Sequence, residues 1–192
     1  MSSPDPLDPP LTLVGIVGSL RSGSLHRVLC EAAAQLLPTG ASLVEVPLVA
    51  VPLYDGDVEA VGDPPAVEAL KDAVAAADGV IVFTPEYNRS YPAVTKNALD
   101  WLSRRPGDNA IMGRPVGVVA GSPGGHEVAG VRTAMRDTLS VVRARPFESL
   151  GIPKLHEAIE DRVLKAEPVQ GMLAHYLARF VAFVRAPDAA VD

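Results

Sequence analysis

The chain has 192 residues, of which 48% are hydrophobic and 21% charged, so its composition is that of an ordinary globular protein of about one large domain. Its 17 basic and 23 acidic residues leave a net charge of −6, which argues against a general affinity for nucleic acid or for anionic membranes. The apolar runs are far shorter than the ~20 residues of a membrane-spanning helix, and the single cysteine, Cys30, fits a reducing, cytoplasmic location as a packing residue.

The first predicted elements are a strand and a helix. Residues 1–10 hold four prolines and are predicted to be a flexible tail. Leu11–Val17 is continuously apolar, which is typical of a strand buried on both faces of a parallel sheet. From Leu25 to Leu36, apolar residues recur at the spacing of a helix that packs on a sheet.

The same alternation continues along the chain, so we predict one domain over residues 11–186 followed by a tail, 187–192. Further strands are predicted at Ser42–Val46, Gly79–Phe83, Pro115–Ala120 and Arg143–Phe147, and further helices at Pro64–Ala77, Pro92–Arg104, Gly125–Ser140 and Pro168–Arg185. The longest irregular stretch is 49–62. This order predicts an α/β, doubly wound, five-stranded parallel sheet with flavodoxin-like order 2-1-3-4-5 and helices on both faces.

In such sheets ligands bind beyond the carboxyl ends of the strands, so the loops after strands one, three and four are candidates. The first, Gly18–Ser24, offers backbone donors, hydroxyls and a cation directly before a helix, which favours phosphate binding. It matches neither the P-loop nor the dinucleotide-binding glycine pattern. The alternative is that Ser22 or Ser24 merely caps the helix.

The other two loops are also unusual. Thr84–Pro92 is polar and holds two tyrosines, of which Tyr87 is suited to cover a planar ligand whose polar edge Asn88 reads. Alternatively, this loop is an ordinary turn in which Ser90 caps the next helix. Gly121–Gly125 consists of small residues that allow close approach of the backbone to a flat ring, or it is an ordinary flexible turn.

Several motifs together resemble the NADPH-dependent FMN reductase family, whose members are flavodoxin-like quinone, azo-dye and chromate reductases. The similarity covers roughly residues 11–150. It rests on Gly18-Ser-Leu-Arg-Ser-Gly-Ser24, Val51-Pro-Leu-Tyr-Asp-Gly-Asp57, Thr84-Pro-Glu-Tyr-Asn88 and Lys96-Asn-Ala-Leu-Asp-Trp101.

The resemblance implies which residues bind FMN, and it implies neither a catalytic side chain nor a metal. Ser19, Arg21 and Ser24, with the backbone of Leu25 and His26, would bind the phosphate. The ring and ribityl chain would lie against Pro85, Glu86, Tyr87, Asn88, Ser122, Gly124 and Gly125. His26 stands where the family usually has asparagine; a side chain that donates to phosphate and a surface position are both open for it, and neither it nor His126 is assigned as a catalyst.

The activity implied by the resemblance is transfer of hydride from NADPH or NADH to flavin N5 and then to a small acceptor, such as a quinone, azo compound, metal oxyanion or free flavin. The rival hypotheses are a reductase that uses FMN as a loosely held substrate, and an electron carrier or regulatory flavin-binding module without NAD(P)H oxidation. The resemblance also implies a homodimer or homotetramer that assembles through the helix bearing Trp101, Arg104 and Arg105, an arrangement that would place Tyr91 near a partner's flavin. Alternatively, Trp101 packs on the sheet.

Overall fold

A computed structural model describes residues 9–104, 109–125 and 128–186. Five parallel strands form its main sheet: β1 (Leu11–Val17), β2 (Ala41–Val46), β3 (Gly79–Pro85), β4 (Pro115–Gly121) and β5 (Arg145–Ile152). They are arranged in the order β2-β1-β3-β4-β5, with every neighbouring pair parallel. The predicted fold class and strand order are therefore confirmed.

Six α-helices accompany the sheet in the described ranges: α1 (Leu25–Leu36), α2 (Gly56–Val61), α3 (Pro65–Ala76), α4 (Ala93–Leu102), α5 (Ala129–Val141) and α6 (Glu167–Arg185). Successive residues of β3 point to opposite faces, so Val82 lies in a core with α3, α4 and α5, and Phe83 lies in a core with α1 and α6. Cys30 is a buried packing residue of the second core, as predicted. No helix of the described ranges is long and apolar enough to cross a bilayer.

The predicted starts of α5 and β5 were wrong because a residue in the left-handed region breaks the regular backbone. Helix α5 begins at Ala129 rather than at Gly125, since Val128 directly before it has φ 49°. Strand β5 begins at Arg145 rather than at Arg143, which has φ 61°, and it continues to Ile152. An apolar side chain does not usually signal a left-handed backbone, and Val128, which has this backbone, is fully buried.

The stretch 49–62, predicted to be irregular, contains the short helix α2. Asp55 starts this helix, since its side chain accepts a hydrogen bond from the Asp57 amide at 2.9 Å. Gly62, with φ 128°, ends it. The helix has no buried residue, which is why hydrophobic periodicity did not predict it.

A 3₁₀ turn and a small hairpin between β5 and α6 were also not predicted. Leu155–Glu157 forms the 3₁₀ turn, and Ile159–Glu160 and Val163–Leu164 form the antiparallel strands β6 and β7. Two-residue strands are too short for a pattern of alternation to be recognised. Of the predicted tails, 1–10 and 187–192, the structure describes only residues 9 and 10.

Candidate functional site

The carboxyl ends of β1 and β3 are bound closely together. The Gly18 amide donates to the Phe83 carbonyl at 2.8 Å. A Cβ atom on Gly18 would collide with Thr95 Oγ1 and would lie 2.9 Å from Thr84 Oγ1, and both threonines are fully buried. Glycine at the start of the β1 loop is therefore required by the close packing of β3 and α4, independently of any ligand.

The β1 loop, residues 18–24, ends in a helix N-terminus with unused donors. Ser24 caps α1, since its Oγ accepts from the Arg27 amide at 3.2 Å, so the predicted capping role is confirmed. The amides of Leu25 and His26, however, have no acceptor among the described residues. The exposed Arg21 guanidinium likewise contacts no described acceptor. Two amides at the positive end of a helix and one cation make a site for an anion.

The backbone of the β1 loop is itself held in place. The Arg21 carbonyl accepts from the Ser24 amide at 3.1 Å and from Arg27 Nη1 at 3.3 Å. Arg27 Nε also pairs with Glu45 at 3.0 Å, so its charge is largely balanced. Ser19 is nearly buried, with 9% of its surface exposed. Arg21 therefore remains the uncompensated cation of the loop.

His26 is directed into the protein, so the alternative of a surface histidine is wrong. Its side chain is 6% exposed, and its Nε2 lies 3.2 Å from the Gly121 carbonyl at the end of β4. Because a carbonyl only accepts, Nε2 carries the hydrogen. Burial lowers the pKa of His26 to about 4, although the bond to Gly121 opposes this shift. The imidazole is therefore neutral near pH 7, and the residue offers an anion its backbone amide rather than a charge.

The β3 loop, residues 86–91, folds into a tight turn. The amides of Tyr87 and Ser90 each donate to the other's carbonyl, at 2.8 and 2.9 Å, and Asn88 and Arg89 between them have φ 52° and 62°. The Tyr87 side chain is 50% exposed. The alternative that Ser90 caps α4 is wrong, because Pro92 occupies the cap position without a side-chain bond.

The β3 loop also packs against the start of α5. Pro85 is the buried last residue of β3, and Glu86 Oε2 accepts from the Val131 amide at 3.0 Å. Gly130 lies so close that a Cβ on it would be 2.6 Å from the Arg89 carbonyl oxygen. The predicted site residue Glu86 thus has its carboxylate engaged with a helix N-terminus, a contact that sequence reasoning missed.

The β4 loop, residues 122–125, is held by the segment that follows β5. Ser122 Oγ accepts from the Gly124 amide at 3.0 Å, and the carbonyls of these two residues accept from the amides of Leu155 and Lys154 at 2.9 and 2.8 Å. A Cβ on Gly125 would meet nothing within 4 Å. The backbone of the loop is fixed, while the described residues leave space beside Gly125.

The α4 motif supports the segment after β2. Asn97 Oδ1 accepts from the Tyr54 amide at 2.7 Å, and Asn97 Nδ2 donates to the Pro52 carbonyl at 2.7 Å. Trp101 Nε1 donates to the same carbonyl at 2.9 Å, and Arg104 lies over the Tyr54 ring. Trp101 is fully buried against this segment, with its ring edge-on to that of Tyr54 at 5.0 Å between centroids, so its side chain packs inside the protein rather than at an exposed surface.

Two predicted residues, Arg105 and His126, lie outside the described residues. Within the described ranges, no cluster of histidine, cysteine and carboxylate side chains could hold a metal ion. The predicted FMN-binding residues all lie in the three loops at the carboxyl edge of the sheet, at the end of β3 or at the start of α1.

Comparison with known proteins identifies the family. The family model for NADPH-dependent FMN reductases matches residues 11–155, which include all three loops. This chain belongs to the NADPH-dependent FMN reductase family. The predicted family is thereby confirmed, and with it the class of oxidoreductase and the use of FMN and NAD(P)H.

Individual relatives agree with this family. An NAD(P)H-dependent FMN reductase of Pseudomonas aeruginosa is 39% identical over 137 residues, 71% of this chain and 74% of the relative. A quinone reductase of Escherichia coli K12 is 42% identical over 116 residues, 59% of this chain and 61% of the relative. The structure of FerB, a flavoenzyme NAD(P)H:(acceptor) oxidoreductase from Paracoccus denitrificans, is 31% identical, with a TM-score of 0.81, and covers 91% of this chain and 97% of its own.

Among the residues that sequence reasoning missed in this family member, Gly130 carried a usable signal. It lies inside the predicted helix 125–140, where glycine is unfavourable by about 1 kcal/mol relative to alanine and so indicates close packing. Thr95 carried no such signal, because a threonine in a helix has no distinctive pattern. Its contact with Gly18 depends on how α4 meets β1.

Proposed function

We propose that this chain binds FMN across the β1, β3 and β4 loops and uses it to reduce quinones or similar small acceptors with NAD(P)H. The observation that carries the proposal is the pair of amides at the start of α1 that have no described acceptor, directly after a loop whose Arg21 guanidinium also contacts no described acceptor. Relatives named quinone reductase and 2-hydroxy-1,4-benzoquinone reductase support the choice of acceptor.

The β1 loop is proposed to hold the FMN phosphate. The amides of Leu25 and His26 donate to it, and Arg21 supplies the opposite charge. Ser24 Oγ accepts from the Arg27 amide, which leaves its hydroxyl hydrogen free to donate to a phosphate oxygen. Ser19, at the start of the loop, adds a second hydroxyl. This donor set matches a dianion with several acceptor oxygens.

The β3 and β4 loops are proposed to hold the ring and the ribityl chain. The Tyr87–Ser90 turn and the Glu86–Val131 bond keep the β3 loop, with Pro85 and Asn88, rigid, and the half-exposed Tyr87 ring offers a flat apolar surface. The loop of the neighbouring strand β4 presents the backbone of Ser122, Gly124 and Gly125, and a Cβ on Gly125 would meet no described residue within 4 Å.

FMN supplies the chemistry when bound, since its ring accepts two electrons as hydride from NAD(P)H and releases them to the acceptor. The overall reaction converts NAD(P)H, one proton and a quinone into NAD(P)⁺ and a hydroquinone. The chain's residues bind and orient FMN and limit the access of water to it, and no side chain has to act as a catalyst. His26, neutral and bonded to Gly121, connects the phosphate end of the site with the ring end.

Assembly and location are part of the proposal. Apolar side chains are exposed in the segments after β1, β2 and β3: Leu20, Val49, Leu53 and Tyr87 are 51%, 76%, 78% and 50% exposed. Such a cluster supports a homodimer or homotetramer that covers this edge, which light scattering tests. The lone buried thiol, Cys30, supports the reducing cytoplasm as the location.

The absorbance spectrum of the purified protein, before and after anaerobic addition of NADPH, tests the activity. We expect a flavin spectrum, or its appearance on titration with FMN, that NADPH bleaches and a quinone restores. A flavin that NADPH leaves unreduced would favour the electron-carrier hypothesis. Parallel titration with NADH measures the preference between the two donors, and the rate of flavin dissociation separates tight FMN from FMN used as a substrate.

A further inference from the structure

The β6–β7 hairpin, which lies beyond the family match at residues 11–155, is firmly attached to the core. Ala158 and Leu164, at its base, are almost fully buried in the same apolar cluster as Val28 of α1. The Lys165 amide donates to the Ala158 carbonyl at 2.9 Å, and Gln170 Nε2 donates to the Leu164 carbonyl at 2.6 Å. The tip of the hairpin is therefore held at a defined position relative to α1.

That tip contacts the β1 loop. Arg162, at the second position of the turn, donates from Nη1 to the Ser22 carbonyl at 2.6 Å, across 140 residues of sequence. The same chain segment holds the β4 loop, through the amides of Lys154 and Leu155. One segment thus fixes two of the three loops of the proposed site.

The conformation of Arg162 is unfavourable for its side chain. Asp161 and Arg162 have φ 48° and 61°, the left-handed pair of a two-residue hairpin turn. Glycine is strongly preferred at the second position of this turn, because a Cβ is strained there. The energetic cost of placing a residue with a Cβ in this backbone conformation points to a function for the arginine side chain.

The contact also orients a donor. Peptide bonds in the described ranges are trans, so a Ser22 carbonyl that faces Arg162 directs the amide of Gly23 the opposite way. The Gly23 amide has no acceptor among the described residues, and a Cβ on Gly23 would meet nothing within 4 Å. This amide is therefore available to a ligand, as are the amides of Leu25 and His26 at the start of α1, which also have no described acceptor.

We propose that Arg162 is a positioning residue for the phosphate of FMN: it holds the Ser22–Gly23 peptide so that the Gly23 amide faces the phosphate. The inference rests on the proposed function, and it adds a residue from the C-terminal hairpin to the phosphate site. The guanidinium also brings a second cation to the loop of Arg21, which lowers the energy of a dianion bound there.

Arg162→Gly tests this role, because glycine removes the guanidinium and suits φ 61°. Apoprotein of the wild type and the variant is titrated with FMN and with riboflavin, which lacks the phosphate, and binding is followed by flavin fluorescence. We expect the Kd for FMN to rise roughly five- to tenfold and the Kd for riboflavin to stay unchanged. The melting temperature of the apoprotein should not fall.

Arg136→Ala is the matched control, since Arg136 is an exposed arginine of α5 whose loss changes the net charge equally. It should leave both flavin affinities unchanged. An FMN affinity of Arg162→Gly within about twofold of the wild type, or an equal loss for both flavins, would overturn the positioning role. A wild-type protein that binds neither flavin would instead overturn the proposed function, and the inference with it.

Discussion

The β1 and β3 loops both follow central strands and are both rich in polar groups, but they use those groups differently. In the β3 loop, the backbone groups of Tyr87 and Ser90 bond to each other, and the Glu86 carboxylate bonds to the Val131 amide. In the β1 loop, the amides of Leu25 and His26 remain without described acceptors. Substitutions that disturb the packing of the β3 loop should therefore affect the stability of the protein, whereas substitutions in the β1 loop should affect its affinity for FMN.

The largest expected effect is on stability, through the packing of the β3 loop against α5. Gly130→Ala places a Cβ 2.6 Å from the Arg89 carbonyl oxygen, which is backbone and cannot move without displacing the β3 loop from α5. We expect the free energy of unfolding of the apoprotein, measured in urea, to fall by about 2–3 kcal/mol. Gly171→Ala is the control, since its Cβ meets nothing within 4 Å in α6. Equal stability of the two variants would contradict the close packing.

The second expected effect concerns the bond that joins the β1 and β4 loops. The pKa of His26 is lowered to about 4 in the folded protein, from 6.5, so the unfolded chain binds the proton first as the pH falls. The contribution of the neutral His26 to the free energy of unfolding is complete above pH 6.5 and is lost as the pH falls towards 4. We expect a loss of about 2 kcal/mol between pH 7 and pH 5.

Comparison with His26→Asn isolates this contribution from that of other groups. The variant's free energy of unfolding should change less between pH 7 and pH 5 than that of the wild type. His156→Asn, in which an exposed imidazole is removed, is the matched control. Parallel profiles for the wild type and His26→Asn would show that the buried imidazole does not account for the pH dependence.

The third effect should appear in affinity alone. Arg21→Ala removes an exposed guanidinium that makes no hydrogen bond or ion pair with a described residue, so the unfolding free energy should stay unchanged. The Kd for FMN should rise roughly tenfold or more, because a hydrogen bond between charged groups is lost. Flavin fluorescence measures the Kd, with Arg136→Ala as control. An unchanged FMN affinity would remove Arg21 from the site.

The smallest expected effect distinguishes Ser24 from Ser22 in the β1 loop. Ser24 caps α1, so Ser24→Ala should lower the unfolding free energy of the apoprotein by about 1 kcal/mol. Ser22→Ala is the control, because the contact of Ser22 with Arg162 uses its carbonyl and survives the substitution. Thermal unfolding compares the two, and an equal loss in both would exclude the cap as the cause.

Much of the fold could be predicted because its signals are local. The apolar run of β1 and the helical stripe of α1 gave bounds that match the structure. The bounds of α5 and β5 could not be predicted, because they depend on the left-handed backbone of Val128 and Arg143. Membership of the family followed from four linked motifs, in the β1 loop, after β2, at the end of β3 with its loop, and in α4, and the family match over residues 11–155 confirms it.

The sequence by itself determined the alternation of strands and helices, and hence which loops meet at the carboxyl edge, because hydrophobic period and chain order depend on neighbouring residues. Only the tertiary structure decided which polar groups of those loops remain available to a ligand. His26 reaches Gly121 and Arg162 reaches Ser22, across 95 and 140 residues. Such contacts arise when distant segments pack together, so they cannot be predicted from the local sequence around either residue.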